Sequence, residues 1–460
     1  MRYLLITLGS LGDLLPYLVL GRALSERGHY VEVITQPAYE RLVNQHGCSF
    51  TAACTAEDHR RTVEHPRLWH PVDGFGVLWR HLAIPSIEPV RLRVLRWQVE
   101  RQVLGEPGHI LASPLAIGAR LAQAQRMVAC QISKNEPPER KFEGLLSMCS
   151  VYTAPANLRW DHGPCHLGDW RVPQWWSPLA RRAAWWALDQ VKLEPLARST
   201  LAERMLKLAI PPQKVSIFGR FIHAPHGGIA LFPRSFLTPE QAAERPGLHH
   251  GGWLLPSTQE DEGPGPLPAP LERFLTRNER PVVIFGGSAG GAHAAHIRTH
   301  AIQACTALGR PMVILGAPED HAAALNGRTD CLAWPSASLH RLLPRASAFV
   351  HHGGIGSVAQ GLRAACWQIM CPTAYDQFDN AERLQQLGGG TVVRRGNTAD
   401  APLRWLEALQ VPEGAPVTEP TLVGDGLDAT LAALQRWQAQ PLYPIDLGPE
   451  WVLPKEGIFW

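Results

Sequence analysis

Three turns of this sequence carry side chains whose types and spacing could do chemistry. His351-His352-Gly353-Gly354-Ile355-Gly356-Ser357 follows a short apolar run, and Gly287-Ser288-Ala289-Gly290-Gly291 follows another. Glycines let the backbone approach a ligand closely, and the free N–H groups at the start of a following helix favour a phosphate. Each glycine-rich turn is also typical of a purely structural βα connection. The third turn, Gly9-Ser10-Leu11-Gly12-Asp13, ends in a carboxylate.

Polar residues in these turns follow apolar runs that read as strands. Asp13 comes after Arg2–Leu8, and Asp376, Gln377 and Asn380 occupy a loop after Gln368–Pro372. Ligands of open α/β sheets bind outside the carboxyl ends of the strands, so these residues can face one ligand. Asp13 is then a candidate general base, although an aspartate at this place also serves as a helix N-cap.

The rest of the chain alternates strand and helix patterns and predicts an α/β protein. The GxxG turn after the first strand lacks the GxGxxG dinucleotide fingerprint. Gly228–Pro233 and Gly252–Pro256 read as the last strands of a first domain, and Pro281–Gly287 restarts the pattern. We predict an N-terminal domain at 1–256, a linker at 257–275, a C-terminal domain at 276–425, and a terminal helix and tail at 426–460 that cross back to the first domain.

Composition limits the classes of function. The 460 residues are too many for one compact core. A formal net charge of +3 without a basic run argues against nucleic-acid binding. Nine cysteines without a CxxC pair fit reduced thiols, and no signal peptide or membrane span is evident, so we expect a cytoplasmic protein. The 16 tryptophans, concentrated before residue 190, fit packing, an aromatic pocket, or peripheral contact with the inner face of a membrane.

The stretch around the His352 turn resembles the donor-binding signature of family 1 nucleotide-sugar glycosyltransferases. Eleven residues fall in the order and spacing of that signature: Trp334, Pro335, Leu339, Leu342, Leu343, His352, Gly354, Ser357, Asp376, Gln377 and Asn380. The resemblance implies the GT-B fold, in which two Rossmann-like domains face a central cleft. It also implies a nucleotide-sugar donor bound by the C-terminal half and a hydrophobic hydroxylated acceptor bound by the N-terminal half.

The resemblance implies a role for each candidate residue. Asp13 would be the catalytic base, on a turn near sugar and acceptor formed with Gly9, Ser10 and Gly12. The donor diphosphate would contact Gly287, Ser288, His352, Gly353, Gly354, Gly356 and Ser357. Trp334 and Gln360 would bind the nucleobase and ribose, and Asp376 and Gln377 the donor sugar. No cofactor and no metal ion is expected, because the chain has no Asp-x-Asp string.

A closer resemblance, to the rhamnosyltransferase chains of mono-rhamnolipid synthesis, rests on Pro66–Trp69, Gly74–Trp79, Ile87–Val90 and Asp376–Leu384. It implies transfer of L-rhamnose from dTDP-rhamnose to a 3-(3-hydroxyalkanoyloxy)alkanoic acid. Three other functions are compatible with the sequence. The chain could be a UDP-glucose-dependent glucosyltransferase for a sterol or polyketide, a non-hydrolysing nucleotide-sugar epimerase, or a non-catalytic lipid- or sugar-binding partner of another enzyme.

Three features depart from these families or resist assignment. Trp367 stands where many relatives have proline, and Gln360 where plant members have a ribose-binding glutamate. Glutamine hydrogen-bonds a hydroxyl without charge, which weakens the case for UDP over dTDP. We interpret residues 134–171 as acceptor-side loops, and Ser177–Leu208 as a long helical stretch.

Overall fold

The computed structural model describes residues 1–132, 146–210, 216–256, 267–287, 291–316, 325, 328–394, 401–410 and 426–440. These residues form two parallel sheets, one built from residues 2–250 and the other from residues 282–392. Helices pack on both sheets, which is the doubly wound architecture that the alternating pattern predicts. The predicted tail at 441–460, most of the predicted linker and Ser288 lie outside the described residues.

The first sheet has seven strands in the order β3-β2-β1-β4-β5-β8-β9. Its strands are β1 Arg2–Ile6, β2 Tyr30–Thr35, β3 Ser49–Ala52, β4 Gly108–Ala112, β5 Met148–Tyr152, β8 Gly228–Ala230 and β9 Leu248–His250. Strand β1 pairs in parallel with β2 and β4, with Arg2 opposite Tyr30 and Gly108. Four of the five residues of β1 are buried, as expected for a strand that is covered on both faces. The turn after this central strand therefore opens at the middle of the sheet edge.

Nine helices of the described chain accompany the first sheet. They are α1 Leu11–Glu26, α2 Glu40–Gln45, α3 Ala56–Val63, α4 Gly74–Leu78, α5 Ile84–Val103, α6 Ile117–Ile132, α7 Pro178–Leu188, α8 Glu194–Lys207 and α9 Pro239–Glu244. Between α7 and α8 the backbone makes a π-turn at Asp189–Leu193, so the helical stretch predicted at 177–208 is nearly continuous. A two-stranded antiparallel hairpin, β6 His166–Leu167 and β7 Trp170–Arg171, precedes α7.

The second sheet has six strands in the order β12-β11-β10-β13-β14-β15. They are β10 Val282–Phe285, β11 Met312–Leu315, β12 Cys331–Trp334, β13 Ala348–His351, β14 Gln368–Met370 and β15 Gly390–Val392. The accompanying helices are α10 Ala269–Arg277, α11 Gly291–Ala307, α12 Leu339–Leu342, α13 Ile355–Arg363, α14 Gln377–Gln386 and α15 Ala401–Leu409. All five strand pairs are parallel, so the carboxyl ends of β10, β12, β13 and β14 meet at one edge.

The last described helix, α16 Gly426–Gln438, packs on the first sheet. Leu434 and Trp437 join the buried cluster that contains Leu5 and Val33, and the Trp437 indole donates a 2.7 Å hydrogen bond to the His226 carbonyl. The chain therefore returns to the first sheet after completing the second.

Three local predictions were wrong. Gly252–Pro256 is not a strand, because Gly252 lies against α16 so closely that a Cβ would come within 2.6 Å of the Gly426 Cα. The stretch predicted as loops at 134–171 contains β5, whose apolar residues pair with β4 and β8. Gln377 and Asn380 do not lie in a loop: the chain turns helical immediately after Asp376, so both occupy α14.

Helix α14 lies between β14 and β15 of the second sheet but is held by residues of the first domain. Glu382 Oε1 accepts hydrogen bonds from Arg171 Nε at 2.8 Å and Gln174 Nε2 at 3.2 Å. Arg383, buried and paired with Asp379, donates to Gln241 Oε1 at 2.7 Å. A buried charge needs such partners, so these contacts fix α14 across the cleft.

No described helix has both the length and the apolar character needed to cross a membrane. Each cysteine with a described side chain is a buried free thiol.

Candidate active site

Asp13 lies in the first turn of α1, at the carboxyl end of the central strand β1. The helix N-cap is Ser10, so the alternative role of Asp13 as the N-cap is wrong, but its carboxylate does contribute to the cap. Ser10 donates to Asp13 Oδ2 from its backbone N–H at 2.8 Å and from its hydroxyl at 2.9 Å. Both bonds use Oδ2, so neither of them occupies Oδ1.

Gly9 is required for this position of the carboxylate. Its φ of +147° is rare for a residue with a side chain, and a Cβ would lie 2.4 Å from Asp13 Oδ2. Burial in the cleft raises the pKa of Asp13 above its usual value, although the hydrogen bonds from Ser10 oppose the shift. A raised pKa brings a carboxylate nearer to the range in which it serves as a general base at neutral pH.

His352 follows β13 and lies over the end of β10. Its imidazole sits between two glycines: a Cβ at Gly287 would approach Nδ1 within 2.9 Å, and one at Gly354 would approach Nε2 within 2.5 Å. His352 Nδ1 is buried without a hydrogen-bond partner among the described residues. Burial lowers the pKa of His352 to about 4, so the ring is a neutral donor at physiological pH. A buried, unpaired ring nitrogen at this place fits an anionic ligand.

His351 has a different role from its neighbour. It is fully buried, stacks on Phe349, and its Nε2 lies 2.9 Å from Gln368 Oε1. Its Nδ1 accepts a 3.0 Å hydrogen bond from the Gly353 N–H, which fixes the start of the glycine-rich turn. His351 is therefore a structural residue that holds the turn on which His352 stands.

The other glycine-turn residues predicted to meet the diphosphate lie at the start of α13. Gly354 is the N-cap, and Ser357 is buried in the first turn, where free N–H groups favour an anion. Gly356 is exposed, and a Cβ there would meet nothing within 4 Å, so its surroundings leave room for a ligand. Gly353, with a φ of +88°, lies against the backbone of Gln377.

Asp376 and Gln377 begin α14 beside this turn. Asn380 Nδ2 donates to Asp376 Oδ2 at 2.7 Å and to the Gly353 carbonyl at 3.2 Å, which joins the two segments. Gln377 Oε1 accepts from the backbone N–H groups of Thr373 and Ala374 at 2.9 and 3.2 Å. The Gln377 amide oxygen is thus used by its own loop, and its NH₂ group is the part that remains for a sugar hydroxyl.

Asp13 beside the first sheet and Asp376 beside the second interact electrostatically across the cleft. Burial first, and then the negative charge of Asp13, raise the pKa of Asp376 to about 7. The same charge contributes to the raised pKa of Tyr375, whose hydroxyl donates a 2.5 Å hydrogen bond to the Leu68 carbonyl of the first domain. The candidate base and the candidate sugar-binding carboxylate therefore share one electrostatic site.

The residues predicted to bind the nucleobase and ribose, Trp334 and Gln360, belong to the second sheet and to the helix after β13. Trp334 ends β12 and is partly exposed, which leaves a ring face for stacking. Gln360 is buried in α13, and its Oε1 accepts a 2.5 Å hydrogen bond from Arg363. The Gln360 oxygen is therefore occupied, and only its NH₂ group remains as a donor to a ribose oxygen.

The described residues contain no cluster of three or more His, Cys, Asp or Glu side chains suited to a metal ion.

Sequence reasoning missed two groups that complete the site. Tyr375, with an unusual φ of +55°, contacts Trp69 edge-on as well as Leu68. Arg171 of the first domain holds α14 through an ion pair with Glu382 of that helix. The segment Pro66–Trp69 was noted only as a subfamily feature, and no spacing pattern pairs residue 171 with residue 382.

Gly287→Ala is expected to weaken dTDP binding at least about tenfold, or ~1.4 kcal/mol. The substitution places a methyl group against the His352 ring and disfavours the φ of +107°. Isothermal titration calorimetry measures the affinity. Gly388→Ala is the matched control, because Gly388 also has a positive φ (+73°) but has open space around its Cβ position. Equal affinities of the two variants would contradict the contact between the turn and the donor.

Asp376→Asn is expected to change how stability depends on pH. The folded-state pKa of about 7 lies above the unfolded value, so Asp376 binds more protons in the folded state. Its stabilising contribution is complete below about pH 4 and is lost as pH rises to about 7, by a few kcal/mol at most. Wild type should therefore lose unfolding free energy relative to Asp376→Asn between pH 5 and pH 8 in urea denaturation.

The control for this measurement is Asp330→Asn. The neighbouring Arg328 lowers the pKa of Asp330 through a hydrogen bond, so its linkage to stability falls below about pH 4. The stability difference between wild type and Asp330→Asn should be constant between pH 5 and pH 8. A constant difference for Asp376→Asn as well would show that Asp376 titrates normally.

Comparison with known proteins identifies the class. Residues 303–415 match the family model described as erythromycin biosynthesis protein CIII-like, C-terminal domain. The O-mycaminosyltylonolide 6-deoxyallosyltransferase of Streptomyces fradiae is 29% identical over 396 residues, covering 84% of each chain. The chain has the GT-B fold, and over most of its length its sequence is similar to that of a known glycosyltransferase.

Solved structures support the same fold. The glycotransferase of kitacinnamycin aligns over 95% of this chain and 98% of its own, with a TM-score of 0.64 and 17% identity. A spinosyn rhamnosyltransferase in complex with thymidine diphosphate aligns over 96% of this chain and 97% of its own, with a TM-score of 0.52 and 18% identity. At these identities the likeness establishes the fold, and the prediction of two Rossmann-like domains facing a cleft is confirmed.

Proposed function

We propose that this chain transfers a 6-deoxyhexose, L-rhamnose in the first instance, from a dTDP-sugar to the hydroxyl of a hydrophobic acceptor, with inversion at the anomeric carbon. The observation that carries the proposal is that Asn380 joins Asp376 to the glycine-rich turn of His352, whose Nδ1 is buried and unpaired among the described residues, while the charge of Asp13, beside the first sheet, acts on Asp376. This arrangement supplies a base on one side and contacts for a sugar and a diphosphate on the other.

In the proposed reaction Asp13 Oδ1 accepts the proton of the acceptor hydroxyl. The oxygen attacks the anomeric carbon as the bond to the nucleoside diphosphate breaks, and the diphosphate leaves with the electron pair. The His352 ring nitrogen and the N–H groups at the start of α13 stabilise the charge that develops on the diphosphate. Asp376 accepts hydrogen bonds from sugar hydroxyls, and the NH₂ group of Gln377 donates one.

The choice of dTDP and a 6-deoxy sugar has two supports. The Streptomyces fradiae relative is by name a 6-deoxyallosyltransferase, and one structural neighbour is a rhamnosyltransferase with bound thymidine diphosphate. The neutral Gln360 in place of a glutamate also gives no added preference for UDP. For the acceptor we propose a 3-(3-hydroxyalkanoyloxy)alkanoic acid, on the resemblance of Pro66–Trp69 and Gly74–Trp79 to rhamnolipid rhamnosyltransferases.

The test combines calorimetry with product analysis. The affinities of dTDP and UDP are compared first. The chain is then incubated with dTDP-L-rhamnose and the hydroxyalkanoyloxyalkanoate, and products are identified by mass spectrometry. Tighter binding of dTDP and a rhamnosylated lipid are expected. Preference for UDP and glucosylation of a sterol or polyketide would reassign the substrates, and conversion of the donor without an acceptor would indicate an epimerase.

A further inference from the structure

The hairpin β6–β7 and helix α7 expose a group of large apolar side chains that the proposed chemistry does not use. We call this group the Trp face. It comprises six residues whose exposed fractions run from 46% to 84%: Val72, Trp170, Trp175, Leu179, Trp186 and Val191. Single exposed apolar residues are ordinary on protein surfaces, but a contiguous group marks an interaction site.

Contacts and chain positions relate the members of the Trp face in three groups. Trp176 makes edge contacts with Trp170 and with Trp175, at ring-centroid distances of 5.6 and 6.3 Å. Leu179 and Trp186 are seven residues apart on α7, so they point from the same side of the helix. Lys192 donates a 3.0 Å hydrogen bond to the Val72 carbonyl, which brings Val72 beside the end of the helical stretch.

The charged groups exposed around the Trp face are mostly cations, two of which are paired with buried carboxylates. Arg171 and Arg182 have side chains that are 45% and 60% exposed, whereas their acidic partners Glu382 and Asp161 are only 8% and 9% exposed. Lys192 adds a third exposed cation, and Asp169 is the exposed acid of the segment 169–192. Exposed cations around tryptophans suit anionic lipid headgroups, because tryptophan prefers the boundary between headgroups and acyl chains.

We propose that the Trp face docks this protein on an anionic lipid bilayer, with α7 lying in the plane of the interface. Apolar side chains enter the headgroup region, while Arg182 and Lys192 remain with the phosphates. The docking is independent of which sugar the enzyme transfers.

The position of the face suits an acceptor drawn from the bilayer. The same hairpin supplies His166 and Asp169 to a pocket of about 320 Å³, whose other lining residues include Pro71 and Phe378. Thr373 and Glu382 also line this pocket, and Glu382 belongs to α14, the helix that begins with Gln377. A lipidic acceptor would then travel a short distance from membrane to cleft; this step rests on the proposed function.

The test is co-sedimentation of the full chain, without donor or acceptor, with vesicles of phosphatidylcholine alone or mixed with phosphatidylglycerol. Wild type should bind the anionic vesicles and bind neutral vesicles more weakly, with the difference reduced by salt. The double variant Trp175→Ser/Trp186→Ser should bind about tenfold or more weakly, because each indole contributes a large apolar area. The control is Val103→Ser/Leu104→Ser, which removes side chains that are 81% and 58% exposed at the end of α5.

Several outcomes would overturn the proposal. Wild type that fails to bind anionic vesicles would do so, as would equal losses in the tryptophan and control variants. Light scattering without vesicles tests a second copy as the occupant: a wild-type dimer that the tryptophan substitutions dissociate would assign the face to self-association. Turnover on a short-chain, water-soluble acceptor should be unchanged in the tryptophan variant, which separates failure of docking from failure of the proposed reaction.

Discussion

Replacement of Asp13 by asparagine is expected to lower turnover by about 10²–10⁴-fold while leaving dTDP affinity nearly unchanged. Asparagine has nearly the shape of aspartate and retains a side-chain oxygen for the Ser10 N–H and hydroxyl, so the start of α1 is preserved. It cannot accept the acceptor's proton as a carboxylate does. The measurement is single-turnover kinetics with saturating donor, together with calorimetry of dTDP binding.

Helix α3 provides the matched control for this substitution. Asp58 accepts from the Thr55 N–H at 3.2 Å and the Thr55 hydroxyl in the same capping arrangement, but on an exposed helix away from the cleft. Asp58→Asn should match Asp13→Asn in its small cost to stability, of about 1 kcal/mol or less, and keep full turnover. Turnover of Asp13→Asn within a few-fold of wild type would remove Asp13 from the role of base.

The pH profile adds an independent check. Burial raises the pKa of Asp13, and its charge raises that of Asp376, so the two carboxylates titrate as a coupled pair. Wild-type kcat/KM should therefore fall as pH drops through the weakly acidic range, where this pair takes up protons. The Asp13→Asn variant has no carboxylate to protonate at this position. Its residual kcat/KM should therefore decrease less than that of wild type as the pH drops.

Replacement of His352 by alanine is expected to lower kcat by about 10²–10³-fold, the usual cost of removing one donor from a site of developing charge. The imidazole is held between Gly287 and Gly354, with Nδ1 buried and unpaired, so it is oriented before the ligand arrives. Because its pKa is lowered to about 4, the ring donates as a neutral group, and its protonation should not appear in the pH profile above about pH 5.

His352→Asn tests whether the donor rather than the ring shape matters. It retains an N–H group and should recover part of the kcat that alanine loses. The thermal midpoint of both variants should stay near that of wild type, because the buried hydrogen bonds of this segment belong to His351. Unchanged kcat in His352→Ala would show that the diphosphate is stabilised elsewhere on the turn.

The sequence was sufficient to predict the parts of the site that follow directly from strand ends. Apolar runs gave the positions of β1, β10, β13 and β14, and the residues after them fall at sheet edges because parallel strands end together. The resemblance of the stretch from Trp334 to Asn380 to the family 1 donor-binding signature implied the GT-B fold. Gly252–Pro256 was misjudged because its apolar pattern reflects contact with α16, a partner far away in the chain.

What the sequence could not provide is the pairing of groups across the cleft. The bond from Tyr375 to the Leu68 carbonyl joins residues 307 positions apart, and that from Arg171 to Glu382 joins residues 211 apart. Such pairs depend on the relative placement of two domains. Local periodicity predicts single helices and strands and contains no information on that placement. The use of the Gln377 oxygen by its own loop also depends on the backbone path at residues 373–374.

The contacts that hold α14 against the first domain bear on the rate of turnover. Separation of the two domains must break the contacts of Glu382 with Arg171 and of Arg383 with Gln241, which are charge-assisted hydrogen bonds. We expect the spent nucleotide to leave through such a separation. The slow event of each cycle is therefore expected to be this opening, with a steep dependence on temperature and little dependence on which hydroxyl compound was glycosylated.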